Sequence, residues 1–204
     1  ATFAQEPIKT NVEATKMSRG EHAAIVVDIP EIEVKRLENA WEKWLKDGSR
    51  VKPESNDREI FAVGVTRDNI SLKPMTVYGL FQPLGKGVRL YTFFEVDSVF
   101  IDPENDAITF TAAQKYIREF AVEQYREVVK DELKAEQDEL KDLERDLDKL
   151  HNTYDGLVKN VDNAKRDIEK YKDEISELEG DEGRLDEQIS AQKNLLVTLK
   201  DASE

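Results

Sequence analysis

A heptad repeat of apolar residues runs through most of the C-terminal half of the chain. Apolar side chains recur at alternating steps of three and four residues from Leu140 to Leu178, and the phase continues at Leu185, Ile189, Leu196 and Leu199. The members of this seam are Leu140, Leu143, Leu147, Leu150, Tyr154, Leu157, Val161, Ala164, Ile168, Tyr171, Ile175, Leu178, Leu185, Ile189, Leu196 and Leu199. A period of 3.5 residues held this long predicts a coiled coil. The apolar face therefore needs a partner, either within the chain or in another chain.

The stretch 151–156, HNTYDG, interrupts the seam with poor helix formers. Together these residues cost a helix about 3–4 kcal/mol relative to alanine. The segments 112–150 and 157–200 have similar lengths, and helices near ninety residues are rare. We therefore predict a helical hairpin with a turn at 151–156. One continuous helix is the alternative, because Tyr154 keeps the heptad phase across the break.

The distribution of proline and tryptophan divides the chain into a head and a tail. All six prolines lie at or before Pro103, and both tryptophans lie at or before Trp44. Residues 1–111 carry 14 basic and 18 acidic side chains, a net charge of −4, whereas 112–204 carry 16 and 26, a net charge of −10. We predict an α+β head at 1–110, with an extended N-terminal segment at 1–20, and a helical coiled-coil tail at 111–204.

The head shows the signals of alternating secondary-structure types. Apolar runs rich in β-branched and aromatic residues predict strands at 22–29, 58–66, 76–81 and 88–96. A helix is predicted from Pro30 to a left-handed cap at Gly48, and Thr111 with Gln114 predicts the start of the next helix. The order β-α-β-β-β-α predicts a mostly antiparallel four-stranded sheet with helices on one face.

The composition excludes several classes of site. The chain has no cysteine, so it has no disulfide, thiolate metal site or cysteine nucleophile. No apolar run approaches the ~18 residues that a membrane-spanning helix needs, so we predict no integral membrane segment. The acidic surface repels nucleic-acid phosphates, so we predict no nucleic-acid partner.

No local motif predicts catalysis, a cofactor or a metal. The sequence PLGKG at 83–87 has a strand after it where a phosphate-binding loop has a helix, so a hairpin turn is predicted. His22 and His151 have no partner residues at metal-ligand or catalytic spacing, and 102–107 lacks the pattern of a calcium loop. Trp41 and Trp44 lie three residues apart on one helix face, which predicts core packing, with a ligand pocket as the alternative. We predict that the protein is not an enzyme and has no catalytic, cofactor-binding or metal-binding residues.

The first residues have the pattern of a signal-peptidase site. Thr2 and Ala4 are small residues at the two required positions before Gln5, which predicts export and a signal-peptide remnant at 1–4. Removal of an initiator methionine before a small residue is the alternative.

Several longer segments carry a resemblance to a known group. They are ATFAQEP, MSRGEHAAIVVDIP, VRLYTFFEV and AAQKYIREFAVEQYREVVKDELKAEQDELKDLERDL. With them the chain resembles an uncharacterised family of exported Gram-negative bacterial proteins. The resemblance implies an α+β head, a helical coiled-coil tail and a periplasmic or secreted location, and it implies no activity.

These observations predict a non-enzymatic periplasmic or exported binding or structural protein. It would act through its tail and its head surface, with a protein partner or a second copy on the coiled coil. One alternative is a holdase-type chaperone that clamps unfolded clients with its tail. A second alternative is a head that binds a small molecule or acts on it, for which the aromatic strands would form the pocket.

Overall fold

A computed structural model of the protein describes residues 8–201. The predicted signal-peptide remnant therefore lies outside the described residues. The elements are β1 Thr10–Met17, β2 Gly20–Ile29, α1 Val34–Lys46, β3 Glu54–Asn56, β4 Glu59–Arg67, β5 Ser71–Leu84, β6 Gly87–Val96, β7 Val99–Phe100 and α2 Ala107–Asp201.

The strands form one antiparallel sheet in the order β1-β2-β6-β5-β4-β3. The short β7 pairs with the end of β6, where Glu95 lies opposite Phe100. The predicted α+β class and antiparallel pairing are confirmed, and all four predicted strands are present. The predicted strand number is wrong, because the sheet has seven strands. β1, at the sheet edge, occupies residues 10–17 of the segment 1–20 that was predicted to be extended without a strand.

One face of the sheet is covered by helices. Trp41, with Leu37 and Leu45, turns the apolar face of α1 toward the sheet, and all three are fully buried. The first part of α2 enters the same core with Ile117 and Phe120. This layer of helix on sheet buries most of the large apolar side chains of β2, β5 and β6.

Both helices begin away from their predicted positions. α1 starts at Val34, because Pro30 lies in a turn with Glu31, whose φ of 53° interrupts a helix. α2 starts at Ala107, where Asp106 Oδ1 accepts a hydrogen bond from the backbone N–H of Thr109 at 3.1 Å. Thr111 lies one turn inside α2, and its hydroxyl donates to the carbonyl of Ala107 at 2.7 Å. The predicted left-handed residue after α1 is confirmed, since Gly48 has a φ of 62°.

The predicted turn at 151–156 is wrong, because all six residues are helical. Thr153 donates its hydroxyl to the carbonyl of Lys149 at 2.9 Å, which keeps that polar group within the helix. The residues of this stretch each cost a helix at most about 1 kcal/mol, and none removes a backbone N–H as proline does. Weak propensity without a backbone break is therefore insufficient to end the helix.

The chain divides into two compact units, residues 1–136 and 137–204. The first contains the sheet, α1 and the beginning of α2, and the second contains only helix among its described residues. The head–tail boundary predicted at residues 110 and 111 falls inside α2, and Phe110 and Ile117 belong to the core of the first unit.

Candidate functional site

The second face of the sheet carries a smaller apolar cluster that contains no helical residue. Its buried members are Met17, Ala24, Val26, Tyr78, Tyr91 and Phe93, with Phe61, Leu80 and Phe100 packed around them. Aromatic side chains on a sheet face are poorly soluble unless something covers them. The turn between β1 and β2 covers part of this cluster, with Arg19 beside Tyr78 and over the ring of Phe100.

This turn reaches across the second face to a distant strand. The backbone N–H of Ser18 donates to Glu59 Oε1 on β4 at 2.6 Å. β2 and β4 are separated by β6 and β5 in the sheet, three strand spacings or ~14 Å along a flat sheet. The sheet therefore curls so that the turn and β4 come into contact over the aromatic cluster.

The same turn places Arg19 beside a buried carboxylate. Tyr78 Oη donates to Glu95 Oε2 at 2.7 Å, and Arg19 Nη1 lies 3.4 Å from the same carboxylate oxygen and 3.3 Å from Tyr78 Oη. Glu95 is only 6% exposed, whereas the Arg19 side chain is 53% exposed. A buried carboxylate requires such partners because it has lost its hydration. Burial, reinforced by the hydrogen bond to Glu95, raises the pKa of Tyr78 to about 12.

Glu59 is a second buried carboxylate on this face. It is 7% exposed, and its Oε1 accepts the hydrogen bond from Ser18. Its other oxygen, Oε2, is buried and has no hydrogen-bond partner among the residues that the structure describes. The cluster therefore holds two carboxyl groups within apolar surroundings, of which one is incompletely satisfied.

A groove of about 470 Å³ opens beside this cluster. Phe61 and Tyr78 provide aromatic surface, and Arg19 and Glu95 provide opposite charges. Its rim includes the turn between β6 and β7, where Asp97 and Ser98 have φ values of 50° and 66°. The Asp97 carboxylate is paired with Lys73 across this rim.

The side chains of the groove offer complementary binding groups. Arg19 offers guanidinium donors to an anionic group, and Glu95 offers a carboxylate to a cationic or donor group. With a pKa of about 12, Tyr78 keeps its proton at neutral pH and serves as a hydrogen-bond donor. Within residues 8–201 there is no group of three or more His, Cys, Asp or Glu residues placed to hold a metal ion.

The motifs considered in the sequence have local structural roles. The segment 83–87 contains the turn of the β5–β6 hairpin, with Leu84 opposite Gly87 and Gly85 at a φ of 58°, which confirms the predicted turn. In the turn at 102–106, Asp102 Oδ1 accepts hydrogen bonds from the backbone N–H groups of Glu104 and Asn105 at 2.7 and 2.8 Å. His22 stacks on Phe100 at 3.7 Å between ring centroids. His151 is exposed on α2.

The two tryptophans are both packed against aromatic side chains. Trp41 is fully buried, and its Nε1 donates to the carbonyl of Ile60 at 3.3 Å, as the core prediction requires. Trp44 is partly buried against Tyr116 and Phe120, with centroid distances of 5.2 and 5.4 Å. Trp41 is therefore a core residue, and Trp44 covers the edge of the same core.

Sequence reasoning missed Arg19, Glu59, Tyr78 and Glu95. One signal was present: Glu95 is the next-to-last residue of the run VRLYTFFEV, between Phe94 and Val96, where a charge is unusual. Its partners are 17 and 76 residues away in the sequence, and only the strand register and the β1–β2 turn bring them together.

The second candidate surface is the seam of the helical unit 137–201. Apart from the small Ala164, which is also exposed, every seam residue is between 47% and 67% exposed.

Among described residues, no helix combines the length and apolarity that crossing a membrane requires. Comparison of the chain with family models, with curated proteins and with solved structures finds no match.

Proposed function

We propose that the protein is a non-enzymatic binding or structural protein whose helical unit pairs with another amphipathic helix through the seam. The observation that carries this proposal is the exposure of the seam along residues 140–199. Contiguous apolar surface of this length is typical of an interaction site. The occupant is a helix, either in a second copy or in another protein.

The period of the seam supports a supercoiled partner. A straight α-helix drifts by ~20° per heptad relative to a 3.5-residue repeat, so over residues 140–199 the seam would turn by ~170° around an isolated helix. A left-handed supercoil cancels this drift and keeps the seam facing its partner. A heptad phase held over this length is therefore expected of a helix that forms a coiled coil.

The energies are sufficient for stable association. Burying the remaining exposed half of a Leu or Ile side chain contributes on the order of 1 kcal/mol. The fifteen large seam residues thus contribute on the order of 15 kcal/mol per helix. Loss of translational and rotational freedom opposes association by about 4–15 kcal/mol.

The test is the mass of the full-length protein against concentration, measured by analytical ultracentrifugation. In purified protein the seam finds only other copies, so we expect a mass above 23.4 kDa that rises with concentration. Ile175→Ala with Leu178→Ala should weaken this association at least tenfold. The control, Leu72→Ala with Ile108→Ala, removes the same atoms from exposed sites outside the seam and should have no effect.

A strictly monomeric protein that also fails to bind any heptad helix would contradict the proposal. Concentration-dependent suppression of the aggregation of a model client, abolished by the seam variants, would instead assign the seam to a holdase-type chaperone. Lack of suppression at several-fold excess of the protein would exclude that role.

We also propose that the protein works in the periplasm or outside the cell. The support is the resemblance to exported proteins and the small residues Thr2 and Ala4. Cell fractionation with a cytoplasmic marker tests the location, and recovery only in the cytoplasm would overturn it.

A second candidate function is the binding of a small polar molecule in the groove of the head. The observation that favours it is the convergence of Arg19, Tyr78 and Glu95 beside aromatic surface. The test is a thermal-shift screen of amino acids and small carboxylates. A ligand of this site should raise the thermal midpoint of the wild type and of Lys73→Ala, but not of Arg19→Ala. If no compound shifts the wild type, this candidate loses its support.

A further inference from the structure

The two edges that flank the seam carry different charges. The acidic edge consists of one heptad position, the residue directly before Leu140 and every seventh residue after it: Glu139, Asp146, Thr153, Asn160, Asp167, Glu174, Asp181, Gln188 and Leu195. It has five carboxylates and no lysine or arginine. The mixed edge, on the other side, consists of Glu144, His151, Val158, Lys165, Lys172, Glu179, Asp186, Lys193 and Lys200. Charges at these edges select the partner and its orientation in a coiled coil.

A second copy in parallel orientation places few opposite charges against the acidic edge. In an in-register parallel pair, each acidic-edge residue faces the mixed-edge residue five positions later in the other chain. Only Asp167 meets an opposite charge, at Lys172. The like-charged pairs are Glu139 with Glu144, Glu174 with Glu179, and Asp181 with Asp186.

A second copy in antiparallel orientation does no better for this edge. In that orientation the acidic edge of one helix faces the acidic edge of the other. Because the edge contains no cation, every register leaves its carboxylates opposite carboxylates or neutral side chains. Like charges in this position suppress the wrong partner.

Contacts within the helix do not neutralise the acidic edge. Three of the five edge carboxylates have a cation on the adjacent outer face: Asp146 is 2.7 Å from Lys149, Glu174 is 3.5 Å from Lys170, and Asp181 is paired with Arg184. The Asp146 and Glu174 side chains remain 69% and 51% exposed. Exposed pairs of this kind contribute little, so the carboxylates remain available to a partner.

We infer that the seam is built for a helix of a different chain, one with apolar heptads and with lysine or arginine along the side that faces the acidic edge. This inference rests on the proposed pairing function and specifies its partner. Copies of the chain associate with each other through the apolar seam, but a basic partner displaces them because it adds favourable charge pairs.

The test uses two designed peptides of about five heptads with the same apolar positions. One has lysine and the other has glutamate at the flanking positions. Binding of each labelled peptide to the full-length protein is measured by fluorescence anisotropy at low and high salt. We expect the basic peptide to bind at least tenfold more tightly, with a difference that narrows at high salt because ions screen the pairs.

Two charge variants of the full-length protein distinguish the effect of the acidic edge on peptide binding from the effect of the net charge. The edge variant combines Glu139→Lys, Asp146→Lys, Asp167→Lys, Glu174→Lys and Asp181→Lys. The control variant makes the same change of net charge on the outer face with Asp148→Lys, Asp155→Lys, Asp162→Lys, Asp173→Lys and Glu187→Lys. We expect the edge variant to reverse the peptide preference and the control variant to preserve its direction. Circular dichroism at 222 nm shows that each variant is helical.

The outcomes distinguish this inference from the function on which it rests. Equal binding of both peptides, or equal shifts of preference in both variants, would overturn the basic partner while leaving seam pairing intact. If neither peptide binds and seam substitutions have no effect on mass, the pairing function itself is wrong.

Discussion

Gly79 on β5 lies directly beneath the indole of Trp41 on α1. A Cβ atom built on Gly79 would be 2.6 Å from Trp41 Nε1 and 2.9 Å from Cε2. The absence of a side chain at this position therefore sets how closely α1 approaches the sheet, and it allows Nε1 to donate to the carbonyl of Ile60.

We expect Gly79→Ala to lower the free energy of unfolding by about 1–3 kcal/mol, as overpacking of a core does. The measurement is urea unfolding followed by tryptophan fluorescence. The double variant Gly79→Ala with Trp41→Phe should be less destabilised than the sum of the two single variants, because phenylalanine relieves the contact. Additive effects would show that Gly79 is not constrained by the indole.

The continuous helix predicts that Gly156→Ala is stabilising. A Cβ atom on Gly156 would meet no side chain or other segment within 4 Å, and alanine favours a helix over glycine by about 1 kcal/mol. The thermal midpoint of the signal at 222 nm should rise, and Asn152→Ala should add to the effect. A fall in the midpoint would contradict a helix through this stretch.

Spin labels test the same stretch by distance. The chain has no native cysteine, so Lys141→Cys and Glu169→Cys give two unique sites on the helical unit. They are 28 residues apart, which is ~42 Å along a helix at 1.5 Å per residue. Labelled protein diluted with unlabelled protein should give this distance within one chain. A much shorter distance between the two labels would show that the chain forms a hairpin instead.

The beginning of α2 depends on Asp106. Asp106→Ala removes the acceptor for the N–H of Thr109 and should cost about 1 kcal/mol in urea unfolding. Hydrogen bonds from Thr109 lower the pKa of Asp106. The group therefore stabilises the fold above its unfolded pKa, and this contribution is lost as pH falls through the folded pKa. Asp106→Asn keeps a cap but should remove that part of the acid dependence, which the same titration at several pH values measures.

Two tyrosines should control stability at high pH. Burial is the main cause that raises the pKa of Tyr78 and of Tyr116 to about 12, from an ordinary value of 10. Their stabilisation is complete below pH 10 and is lost as pH rises toward 12, because the unfolded state releases its protons first.

The check is the free energy of unfolding between these two pH values. Tyr78→Phe and Tyr116→Phe should each make the alkaline loss shallower, whereas Tyr154→Phe, at an exposed seam position, should not. An unchanged slope in both buried variants would show that the phenols ionise equally in the folded and unfolded states.

The elements that sequence reasoning found are those with strong local signals. β2 and β6 each contain a segment rich in β-branched or aromatic residues, which predicts a strand. β1, TNVEATKM, is an edge strand with mostly exposed side chains, so its alternation of apolar residues is weak. The two residues of β7 are too few to form a pattern.

The helical stretch at 151–156 shows the limit of propensity arguments. The helix propensities of these residues are unfavourable, but each by at most about 1 kcal/mol. The heptad position of Tyr154, which continues the seam, correctly indicates a continuous helix. The groove could not be predicted, because Arg19 and Glu95 meet only through the register of β2 with β6 and the turn that precedes β2.

The left-handed backbone of Asp97 and Ser98, at the rim of the groove, makes the head less stable than a turn with better-suited residues would. Two successive left-handed residues suit asparagine followed by glycine, which adopt this backbone with little strain. That pair would make a more stable turn, but it would remove the carboxylate that holds Lys73 at the rim. The turn therefore has a strained backbone but retains the Asp97 carboxylate. A variant stabilised by asparagine and glycine at these positions would lose that negative charge from the rim of the groove.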